Sequence, residues 1–422
     1  MNQRSINLLL VGVLAANLYV GLKNFADAAE SDDNKNVYAH MEKFSRVLDQ
    51  VRRNYVDEKK VSYEDLVDGA LSGMLSGLDP HSGYMSVQKH QALMDDTRQE
   101  FGGIGIVVSI RSNSLTIIAP MDDTPGSRAG LQAGDRIMKI MGKSTQGISI
   151  DSAVNLMRGE VGSEVTISIF RPSEEETKSI TIIRERIKTK SVRDINGKGE
   201  YPLIAPGIGY ARISGFSEDT DDELEEALLK MEEASMKALV LDLRDNPGGL
   251  LPQSARVAEK FIPKGQLIVS TEGRNQREQE KFFGEYETPR NMPMVVLVNG
   301  GSASASEIVA GCFQDIKRAK LVGAKTFGKG SVQSILPLRD GSALRLTTAK
   351  YFTPSHRIIH EKGIEPDYPV EVTSEQMRDV IMKRSPGVLE SLDVEDRDRV
   401  QNAEDPQLQK ALKLLKSTLK GR

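Results

Sequence analysis

The segment Met294-Val-Val-Leu-Val298-Asn-Gly-Gly-Ser-Ala-Ser304-Ala-Ser-Glu307 joins an apolar run to a turn of small residues and then to a helical stretch from Ser306 to Asp315. A short apolar run that ends at glycines is typical of a buried strand. A side chain at a strand-to-helix turn lies near the free N–H groups and the positive dipole end of the helix. Ser304 is therefore a candidate nucleophile, and helix capping is the alternative role for the serines of this turn.

Strand and helix alternate on both sides of this segment. Strands are predicted at Ile208 to Ile213 and at Ala238 to Leu243, and helices at Asp221 to Met231 and at Ser254 to Phe261. A further β signal covers Ser331 to Leu336. Strands that alternate with helices predict a layered α/β core.

A lysine between two glycines, Lys329, follows Ser304 by twenty-five residues in Gly328-Lys-Gly-Ser-Val-Gln333. A serine hydroxyl can attack an amide carbonyl without histidine or metal when a neutral lysine in contact with it takes its proton. The ordinary pKa of lysine, near 10.4, has to be lowered by burial for this role. Gln333 lies an even number of residues further along a predicted strand, so it is expected to face the same side as Lys329.

Other chemistries fit these residues less well. The stretch Gly323 to Lys329 is close to a phosphate-binding loop, but Gly330 replaces the hydroxyl that binds magnesium, and a strand follows instead of a helix. A lone cysteine, Cys312, cannot form an internal disulfide or a multi-cysteine metal site. The histidines lack a convincing catalytic or metal-binding arrangement. No metal and no cofactor is therefore predicted.

A third glycine-rich turn, Asp242-Leu-Arg-Asp-Asn-Pro-Gly-Gly249, directly follows a predicted buried strand. Its glycines could present a backbone N–H group to an oxyanion. An ordinary strand-to-helix turn is the alternative.

The composition of the 422 residues is that of an ordinary globular protein with two or three domains. A formal charge of −4, no tryptophan and only 5% aromatic residues argue against nucleic acid as the main partner. At the N-terminus, Arg4 precedes an apolar stretch from Ile6 to Leu22, and Ala26-Asp-Ala28 suits signal-peptidase cleavage. Either export with cleavage after Ala28 or an uncleaved membrane anchor places the main body outside the cytoplasm, and membrane contact is expected only through this segment.

A β-rich module begins at Phe101-Gly-Gly-Ile-Gly-Ile106, continues in short alternating strands and includes Ala129-Gly-Leu-Gln-Ala-Gly-Asp135. These two stretches resemble the carboxylate-binding loop and a characteristic turn of PDZ domains. Glycines allow several N–H groups to converge on a carboxylate, and a neighbouring strand edge can pair with an extended peptide. Gly103, Ile104, Gly105 and Ile106 are therefore the candidate ligands of a peptide C-terminus, with a simple tight turn as the alternative.

Seven segments together resemble the carboxy-terminal processing peptidases, or tail-specific proteases, a family of serine peptidases: Tyr55-Val, Leu78-Asp-Pro-His-Ser, Phe101-Gly-Gly-Ile-Gly-Ile, Leu243-Arg-Asp-Asn-Pro-Gly-Gly, Gly301-Ser-Ala-Ser-Ala-Ser-Glu, Gly328-Lys-Gly-Ser-Val-Gln and Gly363-Ile-Glu-Pro-Asp. The resemblance implies that Ser304 is the nucleophile, Lys329 the base and Gln333 its support. It also implies oxyanion donors at the N–H of Ala305 and of either Gly248 or Gly249, and a PDZ module that gates activity.

The predicted organisation is an α/β (α+β) peptidase core with a helical N-terminal region and an inserted PDZ-like β-rich domain. The boundaries are 1–28 for a signal peptide or anchor, 30–96 for the helical region, 97–187 for the PDZ domain, 188–370 for the peptidase core and 371–422 for a C-terminal helical tail. The predicted function is that of an exported, periplasmic or otherwise extracytoplasmic, serine endopeptidase that binds substrate C-termini. An adaptor or regulatory protein and a homo-oligomer are compatible with it. The alternatives are a catalytically silent PDZ scaffold and a different α/β acyl-transfer enzyme.

Overall fold

The computed structural model describes residues 32–111, 114–121, 123–197, 199–384, 389, 392 and 394–421. The chain divides into two compact units, Met1–Tyr84 and Met85–Arg422. The predicted signal peptide or anchor at 1–28 lies outside the described residues. Within the described part of the chain, no helix combines the length and apolar character needed to cross a membrane.

The first unit is helical where it is described. It contains α1 (Asp32–Asn54), a 3-10 turn (Glu58–Lys60) and α2 (Tyr63–Ser76), and a short strand, β1 (Gly83–Met85), spans its end. Ser62 caps α2 by accepting the Asp65 N–H at 3.0 Å. The predicted helical N-terminal region is therefore confirmed over most of its described residues, with β1 as an interruption.

The predicted PDZ region, within the second unit, forms an antiparallel sheet in the order β3-β4-β5-β7-β8, with β6 paired to β5. Its core consists of buried aliphatic side chains such as Ile117, Ile137 and Ile167. A separate pair of strands, β2 and β9, connects this sheet to the rest of the chain. The elements are α3 (Val87–Arg98), β2 (Glu100–Gly103), β3 (Ile106–Arg111), β4 (Ser114–Pro120), α4 (Pro125–Arg128), β5 (Arg136–Ile140), β6 (Lys143–Ser144), α5 (Ile150–Met157), β7 (Glu164–Arg171), β8 (Glu176–Ile183) and β9 (Glu185–Lys188).

The predicted peptidase region is built on a six-stranded sheet in the order β10-β11-β12-β15-β16-β19, in which every neighbouring pair except β10 and β11 is parallel. On β12, Leu239 and Leu241 face a core shared with three helices, whereas Val240 faces the opposite side. The elements are β10 (Val192–Arg193), β11 (Ile208–Ile213), α6 (Thr220–Glu233), β12 (Ala238–Asp242), α7 (Leu251–Glu259), β15 (Met294–Val298), α8 (Ala305–Asp315), β16 (Lys320–Gly323) and β19 (Tyr368–Pro369). The predicted layered α/β core is confirmed.

A second, antiparallel sheet accompanies this core and contains the strands that follow Lys329. Its strands are β13 (Leu267–Gly273), β14 (Lys281–Phe283), β17 (Ser331–Pro337) and β18 (Ala343–Phe352). β17 and β18 form a hairpin, and β18 also pairs with β13. Only β17 was predicted from the sequence.

The C-terminal tail forms α9 (Ser374–Arg384), α10 (Val394–Gln401) and α11 (Pro406–Lys420). Asp405 caps α11 by accepting the Leu408 N–H at 3.0 Å. The buried Ala411 and Leu415 pack on the face of the parallel sheet that includes Val240. The last helix therefore covers the second face of the sheet that carries the candidate site.

Candidate active site

Ser304 lies between β15 and α8, where the backbone adopts φ 56° and ψ −115°. A positive φ is uncommon for a residue with a side chain, and such strain persists only where the surroundings enforce it. The surroundings here are the segment after β12. The Ala303 N–H donates to the Asn246 carbonyl at 3.0 Å, so the two glycine-rich turns are held together.

The three serines of this turn have different environments. The hydroxyl of Ser302 donates to the Leu243 carbonyl at 2.8 Å, and that of Ser306 donates to the Asn246 carbonyl at 2.9 Å. Both residues are completely buried, whereas Ser304 is partly exposed. Ser302 and Ser306 therefore hold the turn, and Ser304 is the serine that a substrate can reach.

Glu307 connects Ser304 to Lys329. Its Oε2 accepts the backbone N–H of Ser304 and that of Lys329, each at 2.9 Å. Its Oε1 accepts the Gly328 N–H at 2.8 Å and the Thr326 hydroxyl at 2.5 Å. A completely buried carboxylate needs such donors, because an unsatisfied charge is costly away from water. Sequence reasoning missed this role, although Ser304-x-x-Glu307 has the spacing of a capping box.

Lys329 is half-buried at the start of the segment that leads into β17. Burial lowers the pKa of its ammonium group, and the positive charge of Arg345 lowers it further. No hydrogen bond joins Lys329 Nζ to Ser304 Oγ among the described residues. The backbones of Ser304 and Lys329 therefore meet at one carboxylate oxygen, but their side chains form no direct hydrogen bond. This absence is compatible with a catalytic pair, because catalytic hydrogen bonds are often long when no substrate is bound.

The backbone around Lys329 is closely packed. A Cβ atom on Gly330 would lie 2.4 Å from the backbone nitrogen of His360, and one on Gly328 would lie 3.1 Å from the backbone nitrogen of Gly363. The Glu361 N–H also donates to the Gly328 carbonyl at 2.8 Å. The glycines on both sides of Lys329 therefore allow the loop 359–363 to press against this segment, which explains why the lysine follows one glycine and precedes another.

Gln333 points to a different neighbour from the one expected. Its side-chain nitrogen donates to Ser331 Oγ at 2.9 Å and to the Ser331 carbonyl at 3.2 Å. No hydrogen bond between Gln333 and Lys329 occurs within the described ranges. Support of Lys329 by Gln333 stays a prediction.

The turn Asp245 to Gly249 places Gly248 against the nucleophile candidate. A Cβ atom on Gly248 would lie 2.8 Å from Ser304 Cβ and 3.0 Å from the Ala305 nitrogen. The Gly248 N–H donates to Asn246 Oδ1 at 2.9 Å, whereas the N–H groups of Gly249 and Ala305 have no acceptor among the described residues. Backbone donors of the kind an oxyanion requires thus lie beside Ser304.

A buried ion cluster stands directly before this turn. Arg244 forms hydrogen-bonded ion pairs with Asp242 at 2.6 Å and with Asp405 at 2.9 Å. The Tyr210 hydroxyl donates to Asp242 at 2.7 Å, and the Gln407 side-chain oxygen accepts from Arg244 at 3.0 Å. The cluster fixes the end of β12 to the start of α11. Its members Asp405 and Gln407 belong to the C-terminal tail, and the sequence did not predict that they contact the core.

The predicted carboxylate loop lies between β2 and β3. The Ile104 carbonyl accepts the Gly126 N–H at 2.7 Å, and the Gly105 carbonyl accepts the Met121 N–H at 2.9 Å. Gly105 has φ 68°, and a Cβ atom there would lie 2.3 Å from the Thr124 side chain. The N–H groups of Ile104 and Gly105 have no acceptor in the part of the chain that is described. The loop therefore has its carbonyls engaged and donors available, as a carboxylate site needs.

The described residues contain no group of three or more His, Cys, Asp or Glu side chains that could hold a metal ion. The thiol of Cys312 is buried in α8, and burial raises its pKa far above the ordinary value. Cys312 is therefore part of the core.

Comparison with known proteins matches residues 207–370 to peptidase family S41, 116–171 to the PDZ domain and 11–89 to the N-terminal domain of the activating protease CtpB. The carboxy-terminal-processing protease of Bartonella bacilliformis is 41% identical over 377 residues, which cover 87% of this chain and 83% of that protein. The chain belongs to the carboxy-terminal-processing proteases. The family predicted from the sequence is confirmed, and this family member is a serine-type peptidase with a PDZ domain.

Other relatives of this carboxy-terminal-processing protease agree with that assignment. The "Probable CtpA-like serine protease" of Staphylococcus aureus strain N315 is 36% identical over 375 residues, covering 88% of this chain and 72% of that protein. The solved structure of an S41 protease candidate from Bacteroides fragilis covers 88% of this chain and 97% of its own, with a TM-score of 0.51 and 17% identity. This structural likeness shows the shared fold.

Proposed function

We propose that this protein is an exported endopeptidase that binds the C-terminus of a substrate at its PDZ domain and cleaves peptide bonds with Ser304 and Lys329. One observation carries this proposal, the acceptance of both backbone N–H groups by Glu307 Oε2 at 2.9 Å each. Two donors that share one acceptor atom must lie close together. The side chains of Ser304 and Lys329 therefore start from neighbouring backbone positions.

The lowered pKa of Lys329 suits the role of general base. Burial increases the fraction of neutral amine, which takes the proton from Ser304 Oγ as that oxygen attacks the peptide carbonyl carbon. The resulting ammonium group gives the proton to the leaving amine when the C–N bond breaks. Water then attacks the ester carbon while Lys329 takes its proton, and Lys329 gives that proton to Ser304 Oγ as the C–O bond of the ester breaks. Each proton is returned within the cycle, so no metal or cofactor is required.

Backbone donors stabilise the oxyanion in this proposal. The Ala305 N–H is the first donor, and one N–H of Gly248 or Gly249 is the second. The Gly248 N–H already donates to Asn246 Oδ1, so Gly249 is favoured as the second donor. Gly248 can take this role only if the Asn246 side chain releases its N–H. Gln333, through Ser331, steadies the strand that follows Lys329.

Substrate recognition is assigned to the loop Gly103 to Ile106 and to the adjacent strand β3. β3 is a terminal strand of its sheet in the described structure, and it lies beside α5. An extended peptide can add to such an edge while its carboxylate binds loop N–H groups. Val107 and Ile110 on β3 are exposed, so the site favours a substrate with an apolar C-terminal segment.

A chain of hydrogen bonds supports gating of the active site by the PDZ domain. The Glu218 N–H donates at 3.1 Å to the carbonyl of Thr97, near the end of α3 and shortly before β2. Two residues earlier, the Phe216 N–H donates to the Gly248 carbonyl at 2.9 Å. A movement of the end of α3 and of β2 can therefore reach the turn at Gly248 through residues 216–218.

The N-terminal region supports the parts of the proposal that concern export of the protein and its binding partners. The apolar segment before residue 28 directs export, either as a cleaved signal or as an anchor. The match of residues 11–89 to the N-terminal domain of an activating protease supports a site for an adaptor or regulatory protein, or for a second copy of the chain.

The proposal is tested with an unfolded protein that carries an apolar C-terminus, incubated with the wild type and with Ser304→Ala. Cleavage by the wild type and a loss of cleavage of 1,000-fold or more in the variant are expected for removal of a nucleophile, an order of magnitude taken from triad enzymes. A matched variant, Ser302→Ala, removes a neighbouring hydroxyl and should retain measurable cleavage. Amidation of the substrate C-terminus should slow the wild type, and equal rates for the acid and the amide would contradict recognition by the PDZ loop.

A further inference from the structure

Tyr351 is a buried residue of β18 beside the proposed active site. Its backbone N–H donates to the Gly330 carbonyl at 3.1 Å, directly after Lys329. Its side chain is only 2% exposed and belongs to the core that also contains Ala305 and Ile308 of α8. Tyr351 thus bonds to the segment of Lys329 and shares a core with α8, and no step of the proposed mechanism has assigned it a role.

The hydroxyl group of Tyr351 is fully buried, and it has no hydrogen-bond partner of acceptable geometry among the described residues. Buried polar side chains almost always have a partner, and an exception calls for an explanation. Other buried tyrosines of this chain follow the rule. The Tyr201 hydroxyl donates to the Val192 carbonyl at 2.9 Å, and the Tyr210 hydroxyl donates to Asp242 at 2.7 Å.

Two polar groups near the Tyr351 hydroxyl are Glu307 and Ser304. Burial raises the pKa of Tyr351 well above its ordinary value, the charge of Glu307 raises it further, and the neighbouring Ser304 hydroxyl lowers it. The pKa shift means that Tyr351 stays protonated throughout the working pH range. Its hydroxyl is therefore a permanent hydrogen-bond donor.

Glu307 does not require this donor, because each of its oxygens already accepts two hydrogen bonds. Ser304 is different, since no hydrogen bond of acceptable geometry from another side chain reaches its Oγ among the described residues. A hydroxyl oxygen can accept one bond while its own proton is given to another group. The unpartnered Tyr351 hydroxyl is therefore a donor available beside Ser304.

We infer that Tyr351 is a positioning residue whose hydroxyl donates a hydrogen bond to Ser304 Oγ when that oxygen turns toward the substrate carbonyl. This inference rests on the proposed role of Ser304 as the nucleophile. The bond holds the reactive rotamer while Lys329 takes the Ser304 proton. The same donor stabilises Oγ when it leaves the acyl group during hydrolysis of the ester. Tyr351 forms no covalent bond and transfers no proton in either step.

The test compares Tyr351→Phe with the wild type in three measurements: labelling of Ser304 by a fluorophosphonate probe, steady-state cleavage of a peptide, and thermal unfolding. The labelling rate and kcat are expected to fall about 10- to 100-fold with KM unchanged, the loss that corresponds to one hydrogen bond to a reacting oxygen. The unfolding temperature should not fall, because the variant removes only a hydroxyl that has no partner in the resting state. The pH midpoint of the rise in kcat/KM should stay the same in Tyr351→Phe, because the pKa of Lys329 still determines it.

The matched control is Tyr201→Phe, which removes a bonded hydroxyl far along the chain from the proposed site. It should lower the unfolding temperature and leave the labelling rate unchanged. A Tyr351→Phe protein that labels at the wild-type rate, or that loses activity only because it is destabilised or unfolded, would overturn the inference. A Ser304→Ala arm separates the two proposals: if that variant still cleaves peptides, the nucleophile assignment fails regardless of Tyr351.

Discussion

Ser304 and Lys329 donate their backbone N–H groups to the same oxygen atom of Glu307, each over 2.9 Å. One residue begins a helix and the other precedes a strand of a different sheet, so nothing in local structure keeps them adjacent. Glu307 does so from inside the protein, where it is completely buried. Its carboxylate therefore sets the relative position of the two proposed catalytic residues.

Substitution of Glu307 by Gln is expected to lower kcat about 10-fold or more and to destabilise the protein by about 1–3 kcal/mol, because an amide leaves two of the four donors to Glu307 without an acceptor. Peptide cleavage per folded molecule and urea unfolding measure the two effects. The matched control is Glu223→Gln. Glu223 accepts the N–H groups of Ser191 and Val192 away from the site, so this variant should lose stability and keep kcat. Equal kcat losses in the two variants would remove the special role of Glu307.

The pH dependence of kcat/KM should report the lowered pKa of Lys329. Because the neutral amine is the active form, kcat/KM rises as the pH increases through that pKa. Arg345→Gln removes a positive charge that disfavours the ammonium form, so the pKa of Lys329 should increase and the rise should move to higher pH. Arg345→Lys keeps the charge and should leave the midpoint in place. A midpoint that moves to lower pH in Arg345→Gln would contradict Lys329 as the base.

Gly248→Ala should abolish most of the activity. The new Cβ atom would lie 2.8 Å from Ser304 Cβ, and the residue would keep φ 107°, which costs an L-residue about 1–3 kcal/mol. Gly265→Ala is the control, because Gly265 has φ 80° and open space where its Cβ would lie. It should show a comparable loss of unfolding free energy with normal kcat. If both variants retain activity, the close approach of Gly248 to Ser304 has no bearing on catalysis.

Asp405→Asn should weaken the attachment of α11 to the core. Burial raises the pKa of Asp405, but the hydrogen bonds and charge of Arg244 outweigh it and hold the pKa below its ordinary value. Removal of the charge is expected to cost roughly 3 kcal/mol of unfolding free energy, the lower end for a broken buried pair, because Asp242 still pairs with Arg244. Denaturant unfolding at pH 7 measures this loss.

The sign of the pH effect follows from the lowered pKa of Asp405. The stabilisation by its charge is complete above the unfolded pKa near 3.9 and is lost as the pH falls through the lower folded value. The difference between wild type and Asp405→Asn should therefore shrink below about pH 4. Glu287→Gln, which removes an exposed pair with Lys264, should have little effect at either pH. A pH-independent difference would mean that the charge of Asp405 is not the cause.

Much of the fold could be predicted from the sequence, because local patterns carry that information. The apolar runs Ile208–Ile213 and Met294–Val298 form strands with the predicted bounds. The strands β13, β14 and β18 escaped prediction, since their identity depends on pairing across long stretches of chain. The PDZ region was found because its glycine turns are local features with a clear backbone requirement.

The residues of the candidate site likewise differ in whether the sequence reveals them. Ser304 and Lys329 stand in short motifs that can be recognised in isolation. Glu307 and Tyr351 act through tertiary contacts, which neither periodicity nor spacing reveals. Arg244 is a further example, because its partner Asp405 lies 161 residues away. Such contacts become visible only when the sheet brings distant segments together.

The central claim is that Lys329 is the base for Ser304, and cleavage of an unfolded protein with an apolar C-terminus by Lys329→Ala tests it most directly. Lys325→Ala is the matched control, since Lys325 lies in the same segment but is exposed and paired with Glu365 at 2.8 Å. We predict that Lys329→Ala folds with the wild-type circular dichroism spectrum and loses cleavage, while Lys325→Ala keeps it. Cleavage by Lys329→Ala at the wild-type rate would contradict the dyad.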